Sequence, residues 1–173
     1  MRIGFDMDDV ICDANGALIA WANDRFGLSL TPDQDAWLSL EPAQQAEMKA
    51  MLDEGSIFSD FQPKPGAVET LRDICQRHDV FIITAAMEHP GCLAPKLDWV
   101  ARHLPFFDPL KLVFCGDKSI AQVDYLVDDS PRHFERLTGT GIVFTAPKNL
   151  SENRYRRAND WGDIRRMFLE GGD

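Results

Sequence analysis

The hydrophobic positions of this chain gather into short uninterrupted runs, each ending on a polar residue. Residues 2–5 (RIGF) end at Asp6, residues 79–83 (DVFII) at Thr84, and residues 111–115 (KLVFC) at the turn Gly116-Asp117-Lys118. Residues 124–127 (DYLV) end at Asp128-Asp129, and residues 141–144 (GIVF) at Thr145. A strand wetted on one face would alternate apolar with polar residues. These five do not, so they read as strands buried on both faces, and hence parallel. Between them the apolar residues recur at helical spacing. Residues 66–78 carry Val68, Leu71, Ile74 and Cys75 on one stripe, residues 95–103 carry Leu97, Trp99 and Val100, and residues 164–169 make a short final helix. Strands alternating with helices through right-handed crossovers predict an α/β fold with a doubly wound parallel sheet.

Residues 14–62 break this alternation. They hold two or three amphipathic helical pieces, 14–26, 32–40 and 42–52, and no convincing strand. The expected organisation is a core of residues 1–13 and 63–173 with a small helical cap, residues 14–62, inserted after the first strand. Such a cap should lie over the carboxyl ends of the strands, where open α/β sheets place their ligands. Residues 147–160 are polar and predict a loop with a basic cluster at Arg154, Arg156 and Arg157.

Composition narrows the function classes. The chain has 173 residues, 45% of them apolar and 27% charged, as expected of a globular protein able to bury its own core. Its net charge of −10 disfavours polymeric nucleic acid and anionic membranes as partners. It does not exclude a small anion bound beside a local cation. Four cysteines (Cys12, Cys75, Cys92, Cys115) form no CxxC pair, which argues against a disulfide framework or a zinc site and for a reducing cytoplasmic setting. The N-terminal MRIGFDMDD turns acidic too soon for a signal peptide, and no apolar stretch is long enough to span a bilayer.

The polar residues at the strand ends carry the chemistry. Asp6 and Asp8 follow the first strand, Thr84 the second, Lys118 the third, and Asp128 with Asp129 the fourth. In a parallel sheet these positions converge on one edge. Four carboxylates gathered there would repel one another unless a cation sat among them, and a hard divalent ion such as Mg²⁺ suits an all-oxygen set. A threonine hydroxyl and a lysine ammonium nearby are what a phosphate group needs. The Asp6–Asp8 spacing puts both carboxylates on one side of an extended chain, so one can attack phosphorus while the other handles a proton.

Asp6-Met7-Asp8-Asp9-Val10, Thr84, a lysine and Asp128-Asp129 resemble the four motifs of the haloacid dehalogenase (HAD) superfamily of phosphohydrolases. The segments FQPKPGA (61–67), DVFIIT (79–84), GDKS (116–119), DYLVDDSP (124–131) and FTA (144–146) are similar to the 5′(3′)-deoxyribonucleotidase family, the cytosolic type C 5′-nucleotidases. The resemblance covers nearly the whole chain and is weakest in the insertion. It implies that Asp6 is the nucleophile forming an aspartyl-phosphate and that Asp8 protonates the leaving oxygen and then activates water. It implies that Mg²⁺ is held by the Asp6 carboxylate, the Asp8 carbonyl and the Asp128–Asp129 pair, one of the two directly. It further implies that phosphate meets Thr84, the Ala85 N–H and Lys96, with Lys118 a supporting cation. The substrate it implies is a small phosphorylated molecule, a nucleoside monophosphate, and close relatives are often homodimers.

The chain departs from the family pattern at several positions. Asp9 stands where glycine is frequent and Ala85 where serine is frequent. In the insertion Ala14, Ala36 and Leu52 stand at positions that are aromatic in animal members, leaving Trp37 to line the substrate pocket. A wider pocket or another small phosphomonoester is the alternative within this chemistry. The rival outside it is a receiver-like signalling module that only holds an aspartyl-phosphate. A dehalogenase is disfavoured by Asp8, since a departing halide needs no proton. Taken singly the remaining candidates have plainer readings. The four histidines show no ligand spacing and read as surface or helix-end residues, Cys12, Trp99 and Trp161 read as core, and Phe58 and Phe61, with Trp37, read either as packing within the insertion or as rings that stack a base.

Overall fold

The computed structural model describes residues 1–171. Its centre is a six-stranded, all-parallel sheet of order β3-β2-β1-β4-β5-β6. The strands are β1 (Arg2–Phe5), β2 (Asp79–Thr84), β3 (Leu112–Phe114), β4 (Tyr125–Asp128), β5 (Thr140–Phe144) and β6 (Arg156–Ala158). Five of them lie on the five apolar runs. The sixth corrects the expectation of a loop over 147–160: Arg156–Ala158 pairs with Ile142–Phe144 as a parallel edge strand. Its RRA sequence has no apolar run: Arg156 is exposed, Arg157 gives its guanidinium to Thr145, Asn149 and Glu152, and Ala158 is buried.

The helices are α1 (Ala14–Phe26), α2 (Pro42–Glu54), α3 (Ala67–Cys75), α4 (Leu93–His103) and α5 (Trp161–Leu169). Leu71, Ile74, Trp99, Val100, Ile164 and Phe168 from α3, α4 and α5 join Ile3, Phe5, Ile82 and Val127 of the sheet in one buried cluster. The second sheet face is covered differently. There Ile83, Leu126 and Val143 pack with Cys115, Val123 and Phe134, and the cover comes from 3-10 turns and Tyr155. Gly4 lies between the Ile83 and Leu126 side chains, so close that a β-carbon would stand 2.7 Å from Ile83 Cδ1.

Between β1 and α3 run α1, a stretch of turns, α2 and the 3-10 turn Ser56–Ser59. The helix expected over 32–40 does not form. Pro32, Asp33 and Asp35 favour turns, and local bonds hold them, with Thr31 N donating to Gln34 Oε1 and Leu38 N to Asp35 Oδ1. The buried Asn15 of α1 fastens this stretch by donating to Gln34 O and accepting from Ala36 N, both at 2.8 Å. The insertion meets the core through a backbone contact that only glycine permits. A β-carbon on Gly55 (φ 92°) would lie 2.2 Å from the Gly91 carbonyl carbon, and one on Gly91 2.3 Å from Asp53 O.

Candidate active site

The winding of the sheet reverses between β1 and β4, which are neighbours although β2 and β3 follow β1 in sequence. A crevice opens at the carboxyl ends of such a pair. Asp6 is the first residue past β1, and its N–H still pairs with Val127 O at 2.9 Å. Asp128 ends β4 and Thr84 ends β2. Past Asp6 the chain turns sharply, with the N–H groups of Ile11 and Cys12 both donating to Met7 O, and Asp9 takes a left-handed conformation at φ 58°. Asp6 and Asp8 therefore do not share an extended segment, although both line one pocket. The turn is clamped from the core by Trp161, whose Nε1 donates to Val10 O at 2.8 Å.

Two buried ammoniums meet carboxylates of the site. Lys118, 1% exposed, sits between Asp6 Oδ1 and Asp128 Oδ2, at 2.6 Å from each. Lys96 Nζ lies 2.5 Å from Asp8 Oδ2 and donates to Thr84 Oγ1 at 2.8 Å, with the Phe58 ring beneath it. Burial alone would raise the Asp6 carboxyl, but Lys118 and Lys96 outweigh it and hold the group below the ordinary carboxylate value. Burial pushes Asp128 up to about 6 against the pull of Lys118, and Asp129 up to about 7 against Lys148. Lys96 and Lys118 both stay charged, because their carboxylate partners overcome burial.

Asp6, Asp128 and Asp129 bring one oxygen each to within 4.8 Å of one another, all buried. Asp129 Oδ2 lies 2.6 Å from Lys148 Nζ. A buried set of three carboxylate oxygens fits a hard divalent cation. The Asp8 carboxylate does not join this trio, being turned to Lys96.

Asp6, Asp8, Asp129, Lys96 and Lys118 line an inner pocket of about 120 Å³, shared with Ala85, Cys92, Ser130, Arg132 and His133. It opens on an outer cleft of about 870 Å³ lined by Leu18, Trp37, Leu38 and Leu52 of the insertion. Ala14 and Ala36 are buried and do not line that cleft. Four cations, Lys96, Lys118, Arg132 and Lys148, line the inner pocket, so the net negative charge of the chain is offset where an anion would bind.

Sequence reasoning missed three residues here. Lys148 follows the turn after β5 and pairs with Asp129 across the site. The buried Asn149 donates to Asp129 O and Phe144 O, both at 2.8 Å, and fixes the backbone behind the acidic pair. Arg157, expected in the basic cluster of a polar loop, donates to Asn149 Oδ1 and O and holds it in place. The strand-end rule used for the other residues would have flagged Lys148, four residues beyond β5. His89 and His133, read from spacing as plain surface residues, both line the inner pocket. Burial and then Lys118 press His133 down to about 4, so it is neutral at physiological pH. Trp99, Trp161, Phe61 and Cys12 are core residues, as expected.

A family model described as 5′ nucleotidase, deoxy (Pyrimidine), cytosolic type C protein matches residues 1–171. A Staphylococcus aureus protein provisionally named a 5′(3′)-deoxyribonucleotidase is 36% identical over 171 residues, covering 97% of this chain and 95% of that protein. A 5′(3′)-deoxyribonucleotidase of Bacillus subtilis is 32% identical over 113 residues, 65% of this chain and 66% of its own length. Among solved structures, a haloacid dehalogenase-like hydrolase from Streptococcus pneumoniae aligns with a TM-score of 0.63 at 12% identity, covering 97% of this chain and 98% of that one. A HAD hydrolase from Bacillus subtilis bound to magnesium aligns at 0.55 with 14% identity and the same coverage. At such identities the structural likeness speaks for the fold alone.

Proposed function

The chain belongs to the cytosolic type C 5′-nucleotidase family, hydrolases of phosphoric monoesters, and from that premise we propose that it releases phosphate from nucleoside monophosphates, deoxyribonucleotides among them, through an aspartyl-phosphate and with Mg²⁺. One observation carries the reading. Asp6, Asp8, Asp129, Lys96 and Lys118 all face one pocket of phosphate size at the switch point of the sheet. Asp6, Asp128 and Asp129 would hold the Mg²⁺, with the Asp8 carbonyl. When bound there, the cation supplies a Lewis acid beside the phosphate oxygens.

The chain's own residues do the rest. Asp6, kept ionised by two ammoniums, attacks phosphorus in line, and the bond from phosphorus to the ester oxygen breaks. Thr84 Oγ1 accepts from Lys96, which leaves its own proton to donate to a phosphate oxygen. Lys96 has three donors, two of them engaged, and turns the third to phosphate with the Ala85 N–H beside it. Lys118 balances the charge of Asp6 and Asp128. Asp8, with Lys96 drawn to the dianion, gives a proton to the leaving oxygen. It then takes one from the water that cleaves the Asp6–phosphorus bond. Residues 14–62 act as the cap that selects the substrate, with the nucleoside in the outer cleft against Trp37. Among the described residues no helix is long and apolar enough to cross a membrane, and the four cysteines are free, in keeping with a cytoplasmic setting. On the family resemblance the protein pairs with a second copy, which light scattering tests.

Continuous release of phosphate from a chromogenic phosphomonoester with Mg²⁺, followed by a panel of nucleotides and sugar phosphates, tests the reading. Many turnovers per site are expected, and none with Asp6→Asn although that variant folds. A single equivalent would indicate a receiver-like module. Turnover by Asp6→Asn near the wild-type rate would sink the mechanism. Activity on sugar phosphates alone would overturn the nucleotide part.

A further inference from the structure

The Glu88–Arg132 ion pair stands apart from the groups assigned so far. Glu88 closes the 3-10 turn Ala86–Glu88 that follows β2, and Arg132 lies in the 3-10 turn Pro131–Phe134 that follows β4. Strands β2 and β4 flank β1. The contact from Arg132 Nη2 to Glu88 Oε1, 2.6 Å long, therefore spans the gap in front of the strand that leads to Asp6. Both side chains line the inner pocket and the outer cleft alike. Any substrate with its phosphate inside and the rest of the molecule outside must pass this bridge.

Arg132 differs from the other cations of the inner pocket. Lys118 and Lys96 are 1% and 2% exposed, and each is held by two partners. Arg132 is 60% exposed, its partner Glu88 45%, and an exposed pair of this kind contributes little to folding. Among the described residues, only Nη2 of its guanidinium is engaged. The remaining N–H donors keep the fork that matches two oxygens of a phosphate group. Arg132 can thus change partner at little cost.

We propose that Arg132 is a substrate-binding residue that leaves Glu88 for the phosphate when a phosphomonoester enters, so that Glu88 competes with the substrate and sets its affinity. A terminal phosphate carries two charges and displaces the single carboxylate. A phosphodiester carries one and does not, so the exchange favours singly esterified phosphate. This inference rests on the phosphomonoesterase reading above.

The decisive variant is Arg132→Met with Glu88→Gln, which removes both partners and leaves the net charge unchanged. Turnover of p-nitrophenyl phosphate with Mg²⁺ gives KM and kcat, and calorimetric titration of inorganic phosphate into the Mg²⁺-loaded protein gives Kd without turnover. KM and Kd are expected to rise about tenfold, the loss of one charge-assisted contact, with kcat within about twofold. Glu88→Gln alone should lower both constants about threefold, and Arg132→Lys with Glu88→Gln should recover part of the double variant's loss. Wild-type phosphate binding matched by the double variant would overturn the inference and leave the proposed function standing. A wild-type protein that neither binds phosphate nor hydrolyses the ester would overturn both.

Discussion

Replacing Lys118 with methionine isolates the electrostatics of the site from its packing. The substitution nearly keeps the volume of a side chain that is 1% exposed and removes an ammonium 2.6 Å from both Asp6 Oδ1 and Asp128 Oδ2. At an effective dielectric constant near 20, each attraction at about 4 Å between charge centres is worth about 4 kcal/mol. Removing the buried ammonium also relieves its own desolvation cost, so the gross loss of about 8 kcal/mol shrinks. Breaking a buried pair by deleting one partner typically costs about 3–5 kcal/mol, because the remaining carboxylates stay buried and uncompensated. Against a total stability of about 5–15 kcal/mol that loss is easily measured by urea unfolding at pH 7.5 in EDTA. Excess Mg²⁺ should narrow the gap between variant and wild type by about 1–2 kcal/mol, since the variant site is more negative and binds the cation more tightly. Lys49→Met, which removes an exposed partner of Asp53, serves as the control and should change stability by less than about 0.5 kcal/mol. A loss below about 1 kcal/mol for Lys118→Met in EDTA would refute the picture of a charge-balanced buried cluster. A gap that Mg²⁺ leaves unchanged would refute the placement of the cation.

Three further outcomes follow from the same geometry. Trp161→Phe removes the donor to Val10 O and leaves a buried carbonyl unpaired, so unfolding free energy should fall by about 1–3 kcal/mol and turnover with it. Unchanged turnover would show that the clamp does not position the Asp6–Asp9 turn. Gly91→Ala sets a β-carbon 2.3 Å from Asp53 O; thermal unfolding should show a loss of at least about 2 kcal/mol, and a neutral result would contradict the close approach of α2 to the core. His133 titrates near 4 in the folded chain against 6.5 for an unperturbed histidine, so the unfolded chain binds its proton first. The stability from neutral His133 is present above pH 6.5 and is lost as pH falls through that value towards 4. His133→Gln should therefore lose about 1–2 kcal/mol less than wild type between about pH 7 and 4.5, a figure halved because the ring is only partly buried. Parallel pH–stability curves would contradict it.

Legibility in the sequence followed local physics. The five unalternating apolar runs identified β1 to β5 because strands covered on both faces, wholly or, as in β3, in part, leave little room for polar residues in their interiors. Their polar successors Asp6, Thr84, Asp128 and Asp129 were legible for the same reason, since parallel strands present their carboxyl ends together. Edge strand β6 was not, because Arg156 is exposed and Arg157 is held by polar partners rather than by apolar packing. The turns over 32–40 were not, because Asn15, remote in sequence, supplies the bonds that hold them.

By itself, then, the sequence determined an α/β sheet with an insertion and an acidic, phosphate-suited edge. Both follow from side-chain polarity and its period along the chain. Tertiary structure alone decided how the charges pair: Lys118 with Asp6 and Asp128, Lys96 with Asp8 and Thr84, Lys148 with Asp129, and Arg132 with Glu88 across the mouth. Pairing depends on distances between residues far apart in the chain, and in a buried site a shift of an ångström decides whether a charge is compensated or stranded.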